Sequence, residues 1–148
     1  MPPLALAYIG AVLEREGHSV EIFDRVAFKW RTSVLVKEGG QNLRYYGPAE
    51  EESLHIVEKS APELVGISCI ASMYAREAHH TAKIVKMADK DIKVVLGEAH
   101  PMALPKETLR DPNVDYVVLG EGEMSTAELV NKLESEEISH QLMGLHLE

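Results

Sequence analysis

The sequence has a single cysteine, Cys69, so no disulfide can close within the chain. It has no apolar run near the roughly 18 residues that a membrane-spanning helix needs. No basic segment leads into an apolar stretch at the start, so no secretory signal is expected. Basic residues are in deficit: 15 Lys and Arg stand against 24 Asp and Glu, a net charge of -9. Phosphate backbones are held by clustered Lys and Arg, so this balance argues against a nucleic-acid partner. Together these absences predict a cytoplasmic protein without a membrane or nucleic-acid partner.

What remains is ordinary globular material. With 148 residues, 45% of them hydrophobic, the chain is expected to fold as one domain around a real core. Leu4 to Glu16 has an apolar stripe at helical spacing, with prolines before it and Gly17 just past its end. Ser19 to Asp24 reads as a strand. Val34-Leu35-Val36 and Leu43-Arg44-Tyr45-Tyr46 flank Glu38-Gly39-Gly40-Gln41 like a small hairpin, an insertion over 28–47. Glu50, Glu51 and Glu52 open a helix whose inner face is Leu54, Val57 and Ala61 and which Pro62 stops. Strands are expected over 64–70, 93–96 and 115–119. Between them fall a long helix from about Tyr74 to Asp89, with Ala78, Ala82, Val85 and Ala88 or Ile84 inward, and a short one from Pro105. Ser125-Thr126-Ala127-Glu128 carries a capping-box pattern and is expected to start the last helix, near Glu128 to Glu134. The ordered domain therefore spans 1–136. Residues 137–148 read as a tail, and its final Leu147-Glu148 as a tag remnant.

The strands are apolar throughout rather than alternating. That pattern marks a parallel sheet covered on both faces, a three-layer flavodoxin-like (Rossmann-like) α/β fold. The chain opens on a helix, so the first strand of such a fold is lacking or replaced. An exposed sheet edge invites pairing with another chain, and a homodimer is one expected outcome. Ligands of open parallel sheets bind at the carboxyl ends of the strands. Three turns follow such ends here: Ser68-Cys69-Ile70-Ala71-Ser72, Gly97-Glu98-Ala99-His100 and Gly120-Glu121-Gly122-Glu123.

Pro2 to Glu14, Gly66-Ile67-Ser68-Cys69, Val95 to Pro101 and Gly120 to Glu123 resemble, in order, the cobalamin-binding domains that precede radical S-adenosylmethionine enzyme domains. In the wider cobalamin-binding family a Ser-x-Leu motif is followed at a set distance by Gly-Gly. Here Ser68-Cys69-Ile70 is followed by 26 residues and then Gly97. The resemblance implies that Ser68, Cys69, Ile70, Ala71, Ser72, Gly97, Glu98, Ala99, His100, Gly120, Glu121 and Gly122 meet cobalamin. A bulky flat ligand needs small residues for close backbone approach and a hydroxyl within its cleft. The sequence departs from the family in three ways. The Asp-x-His-x-x-Gly motif, whose histidine ligates cobalt, is absent. Glu98 replaces the second glycine of Gly-Gly. Nor is there a Cys-x3-Cys-x2-Cys motif, so an iron–sulfur cluster and S-adenosylmethionine belong to a further domain downstream in cis. The resemblance implies a corrinoid-binding module that positions the cofactor and is not itself catalytic, within a methyltransferase-like radical enzyme.

Plainer readings stand beside these. Ser68 and Cys69 are suited to packing under a helix, Gly97-Glu98 and His100 to a turn, and Gly120-Glu121-Gly122 to a helix entry. Cys69 suits a buried hydrophobe better than a nucleophile. His79 and His80 point to different helix faces and read as solvated, and His18, His55, His140 and His146 show no partner. No spacing among Glu98, His100, Glu121 and Glu123 is diagnostic of a metal, and no metal ligand is assigned. No set of nucleophile, base and orienter can be assembled for a free-standing enzyme. The alternative to a cofactor module is a degenerate domain of the same fold that serves assembly or protein interaction.

Overall fold

A three-stranded parallel sheet, with strand Lys93–Gly97 between Leu64–Ser68 and Tyr116–Val117, is the centre of the molecule, and helices cover both of its faces. The computed structural model describes residues 4–28, 33–38 and 40–135. Along the chain, α1 (Leu4–Arg15) and the single turn α2 (Arg25–Phe28) come first. A separate antiparallel hairpin follows, β1 (Ser33–Glu38) and β2 (Gln41–Tyr46), where the 28–47 insertion was expected. Then come α3 (Glu50–Ser60), β3 (Leu64–Ser68), α4 (Ala75–Ala88), β4 (Lys93–Gly97), α5 (Ala99–Ala103), α6 (Pro105–Thr108), β5 (Tyr116–Val117) and α7 (Gly122–Glu134). Trp30, His140, His146 and the 137–148 tail lie outside the described residues.

The sheet is buried on both faces because its strands are apolar at successive positions. Val94 and Leu96 of β4 and Val117 of β5 face a cluster formed with Ala78, Ala82 and Val85 of α4, and Val57 of α3 packs against it. Val95, Tyr116 and Val118 face the other way, onto Leu129 and Leu133 of α7. Ala78, Ala82 and Val85 recur at helical spacing, so small side chains set α4 close against the sheet. Fully burying one side chain such as Leu96 or Ile84 contributes about 1.5–3 kcal/mol. The third layer is α7, and α1 lies against it.

Three local expectations give way. Residues 19–24 form no strand, because no described strand offers them a ladder; Val20 and Ile22 instead pack against Gly10 of α1. Ala61 is exposed and not inward: it closes α3 in a left-handed conformation, φ 44, just before Pro62. The last helix begins at Gly122, ahead of the capping box. The Ser125 hydroxyl donates to the Leu119 carbonyl (3.0 Å) and caps nothing in its own helix.

The amino end of the sheet is tied by charge. Asp115 Oδ2 accepts from the Val94 N–H (2.7 Å) and from Lys86 Nζ (2.7 Å), and Lys86 also donates to the Ile92 carbonyl (2.6 Å). This cluster fixes the end of the sheet opposite the three turns.

Candidate functional site

All three turns singled out by sequence lie at the carboxyl end of the sheet. The β3–β4 ladder ends with Ser68 beside Gly97. The pairing then continues into the turns. Cys69 N–H donates to the Gly97 carbonyl (3.0 Å), and His100 N–H donates to the Cys69 carbonyl (3.1 Å). His100 is 7% exposed, and its Nδ1 shares a hydrogen bond with the Ser72 hydroxyl (2.9 Å). Residues 68–72 and 97–100 are thus stitched into one surface. One strand over, Val118 N–H donates to the Leu96 carbonyl (2.9 Å), and Leu119 leads into Gly120. Gly120 has φ 80, a conformation favoured by glycine, and a side chain there would meet nothing within 4 Å.

The surface of this rim is small, polar in places and apolar at its border. Among the described residues the half-buried Ser68 hydroxyl has no hydrogen-bond partner and is free to donate or accept. Ala71, Ser72, Gly97, Ala99, Gly120 and Gly122 bring little bulk. Exposed apolar side chains follow each strand end: Ile70, Met73 and Tyr74 after β3, Met102 and Leu104 after β4, Met124 after β5. Methionine and tyrosine suit a surface that adapts to a flat partner. The rim therefore fits a bulky planar group that carries polar substituents.

Cys69 lies beneath the rim, not on it. It is 1% exposed, its thiol points to the Ala71 carbonyl (3.5 Å), and burial pushes its pKa up, with Glu77 adding to the rise and that hydrogen bond opposing it. A thiol held protonated is neither nucleophile nor ligand. Among the described residues no group of three or more His, Cys, Asp or Glu is placed to hold a metal ion.

A further concavity lies beside the stitched turns. A groove of about 700 Å³ runs along α7 between Glu16, Leu119, Glu128 and Asn131, and meets the rim at Gly120, Glu121 and Met124. In the 68–72 and 97–100 turns Ile70, Ser72 and Ala99 are exposed, while Cys69 and His100 are buried.

His79 and His80 read as solvated and His18 as without a partner; His80 is exposed, and all three meet a carboxylate. His79 Nδ1 meets Asp111 Oδ2 at 2.6 Å, His80 Nε2 meets Glu50 at 3.1 Å, and His18 Nδ1 meets Glu134 at 3.3 Å. Burial raises the Asp111 pKa, but hydrogen bonds from Asn113 and His79 outweigh it and hold the carboxyl below its ordinary value. These pairs join residues far apart in sequence: His80 ties α4 to α3, His79 ties α4 to the loop before β5, and His18 ties the loop after α1 to α7. Glu98, by contrast, has φ 83 and no side-chain partner among the described residues. Its unusual backbone could not be read from residue type.

The B12 binding domain family matches residues 1–130. Over 123 residues the chain is 39% identical to the cytidylyl-2-hydroxyethylphosphonate methyltransferase of Streptomyces wedmorensis, which covers 83% of this chain and 23% of that protein. Over 146 residues it is 34% identical to an uncharacterized methyltransferase of Pyrococcus horikoshii, 97% of this chain and 27% of that one. The chain thus spans about a quarter of the length of the curated relatives it matches. No solved structure matches it significantly.

Proposed function

From the premise that this chain belongs to the B12 binding domain family, we propose that it is the corrinoid-binding module of a larger methyltransferase and that it positions the cofactor without reacting itself. Cobalamin is the cofactor of this family. The observation that carries the reading is the meeting of three small-residue turns at one sheet end, bordered by exposed apolar side chains.

Bound corrinoid supplies methyl-transfer chemistry at its cobalt. The chain's own part is seating. Gly97, Ala71 and Gly120 let the ligand approach the backbone, and the free Ser68 hydroxyl exchanges a hydrogen bond with it. His100 holds Ser72, and so the 68–72 turn, in place. Ile70, Met73, Met102 and Met124 exclude water from the ligand's border. No side chain here is arranged as an acid, base or nucleophile.

The larger reading adds a radical S-adenosylmethionine domain in cis, cytoplasmic like this one, which covers the rim and holds the iron–sulfur cluster. It is supported by two methyltransferase relatives roughly four times as long, by the open apolar rim, and by the chain's lone, buried cysteine. A homodimer through the free edge of β3, whose residues are less buried than those of β4, belongs to the same proposal. Light scattering at high concentration tests the dimer; a clean monomer refutes it.

The test of the function is a spectral titration with hydroxocobalamin. A shifted spectrum, and colour that travels with the protein through gel filtration, are expected. No shift and no retained colour would sink the reading.

A further inference from the structure

Glu98 is the one rim residue whose backbone and side chain are at odds. At φ 83 and ψ -171 it occupies a region that only glycine enters freely. Its own peptide is held there by the Met102 N–H, which donates to the Glu98 carbonyl (3.1 Å), and by the neighbouring bonds of Gly97 and His100. The side chain does nothing in return for the fold. Among the described residues it has neither a hydrogen bond nor an ion pair, and it caps nothing on α5. Glycine would occupy this position without strain. A strained, half-buried residue whose side chain serves nothing in the described fold thus stands at the sheet's carboxyl rim.

A carboxylate is purely an acceptor. It recognises N–H and O–H donors and repels anions. A corrin ring carries carboxamide groups around its edge, and their N–H bonds are matching donors. We infer that Glu98 is a specificity-determining residue: it accepts hydrogen bonds from corrinoid carboxamides and turns away corrinoids that carry free carboxylates. The inference rests on the corrinoid-binding reading and adds to it a choice between ligands. The same position explains why the larger glutamate is present where the fold alone favours no side chain.

The experiment uses the full chain with two probes, dicyanocobinamide, whose amides are intact, and dicyanocobyrinic acid, whose amides are acids. Wild-type protein is expected to bind the amide form at least about tenfold more tightly, the worth of one charge-assisted hydrogen bond. Glu98→Gln keeps an acceptor but loses the charge, so the discrimination collapses while the amide form still binds. Glu98→Gly, measured without ligand, raises Tm by several degrees as the strain is relieved, yet weakens dicyanocobinamide about tenfold. A Glu98→Gly protein that binds dicyanocobinamide as tightly as wild type, or more tightly, overturns the inference and makes the side chain an obstruction. An unchanged Tm overturns the strain argument. If wild-type protein binds neither probe and fails the hydroxocobalamin titration as well, the corrinoid reading itself fails; if it binds hydroxocobalamin but does not tell the two probes apart, this inference alone falls.

Discussion

Replacing Asp115 by alanine separates the two ends of the sheet. Asp115 Oδ2 accepts both the Val94 N–H and the Lys86 ammonium at 2.7 Å. Val94 is fully buried, and the Lys86 side chain is only 13% exposed. The substitution therefore leaves a buried N–H without an acceptor and a largely buried cation without its anion. An orphaned buried donor costs about 1–3 kcal/mol, more when charge is involved. A loss of about 2–3 kcal/mol follows, or about 6–10 °C in Tm for a domain of this size. Asparagine at the same position keeps an acceptor for Val94 but not the ion pair, and about half of that fall is expected. Hydroxocobalamin affinity, measured well below Tm, should move less than threefold, because Asp115 lies at the opposite end of the strands from Ser68 and Gly97. Calorimetry and spectral titration on the same samples give both numbers. An unchanged Tm would refute the reading of Asp115 as an anchor. A tenfold loss of corrinoid affinity at full folding would refute the assignment of the binding edge.

Gly120→Ala puts a side chain on a residue with φ 80; the surrounding space is open, so only the backbone resists. A loss of about 1–2 kcal/mol is expected from thermal melts, with asparagine recovering part of it. Ser72→Ala removes the hydroxyl that meets His100, and a loss of about 1 kcal/mol with weaker hydroxocobalamin binding is expected by melting and titration. Asp111 has a lowered pKa in the folded state, so its contribution is present above the ordinary carboxylate range and lost as pH falls through it. Tm measured against pH should fall more steeply on the acid side for wild type than for Asp111→Asn; parallel curves would refute the link.

The sheet was legible because burial on two faces forces a continuous apolar run, as in Lys93–Gly97 and Leu64–Ser68, and few other structures demand that pattern. The rim was legible for a related reason: glycine and serine placed directly after such runs mark where the chain turns at a strand end. The element after β4 was missed, since Ala99-His100-Pro101 reads as a turn, yet proline fits the first turn of the short helix there. Ser19 to Asp24 has the apolar character of a strand, but a strand is defined by its neighbour and not by its own residues. Pairs such as His79 with Asp111 join residues far apart in sequence, where no local signal exists. The sign of φ at Glu98 comes from the hydrogen bonds that hold the turn, not from the side chain.

Where α7 begins, a β-carbon on Gly122 would come within 3.2 Å of Ile9 Cδ1 on α1. The third turn therefore leans directly on the first helix, with no cushion between them. Ligand seating at 120–122 and docking of that helix share one joint. Whatever pulls α1 aside also loosens the outer wall of the cofactor's seat.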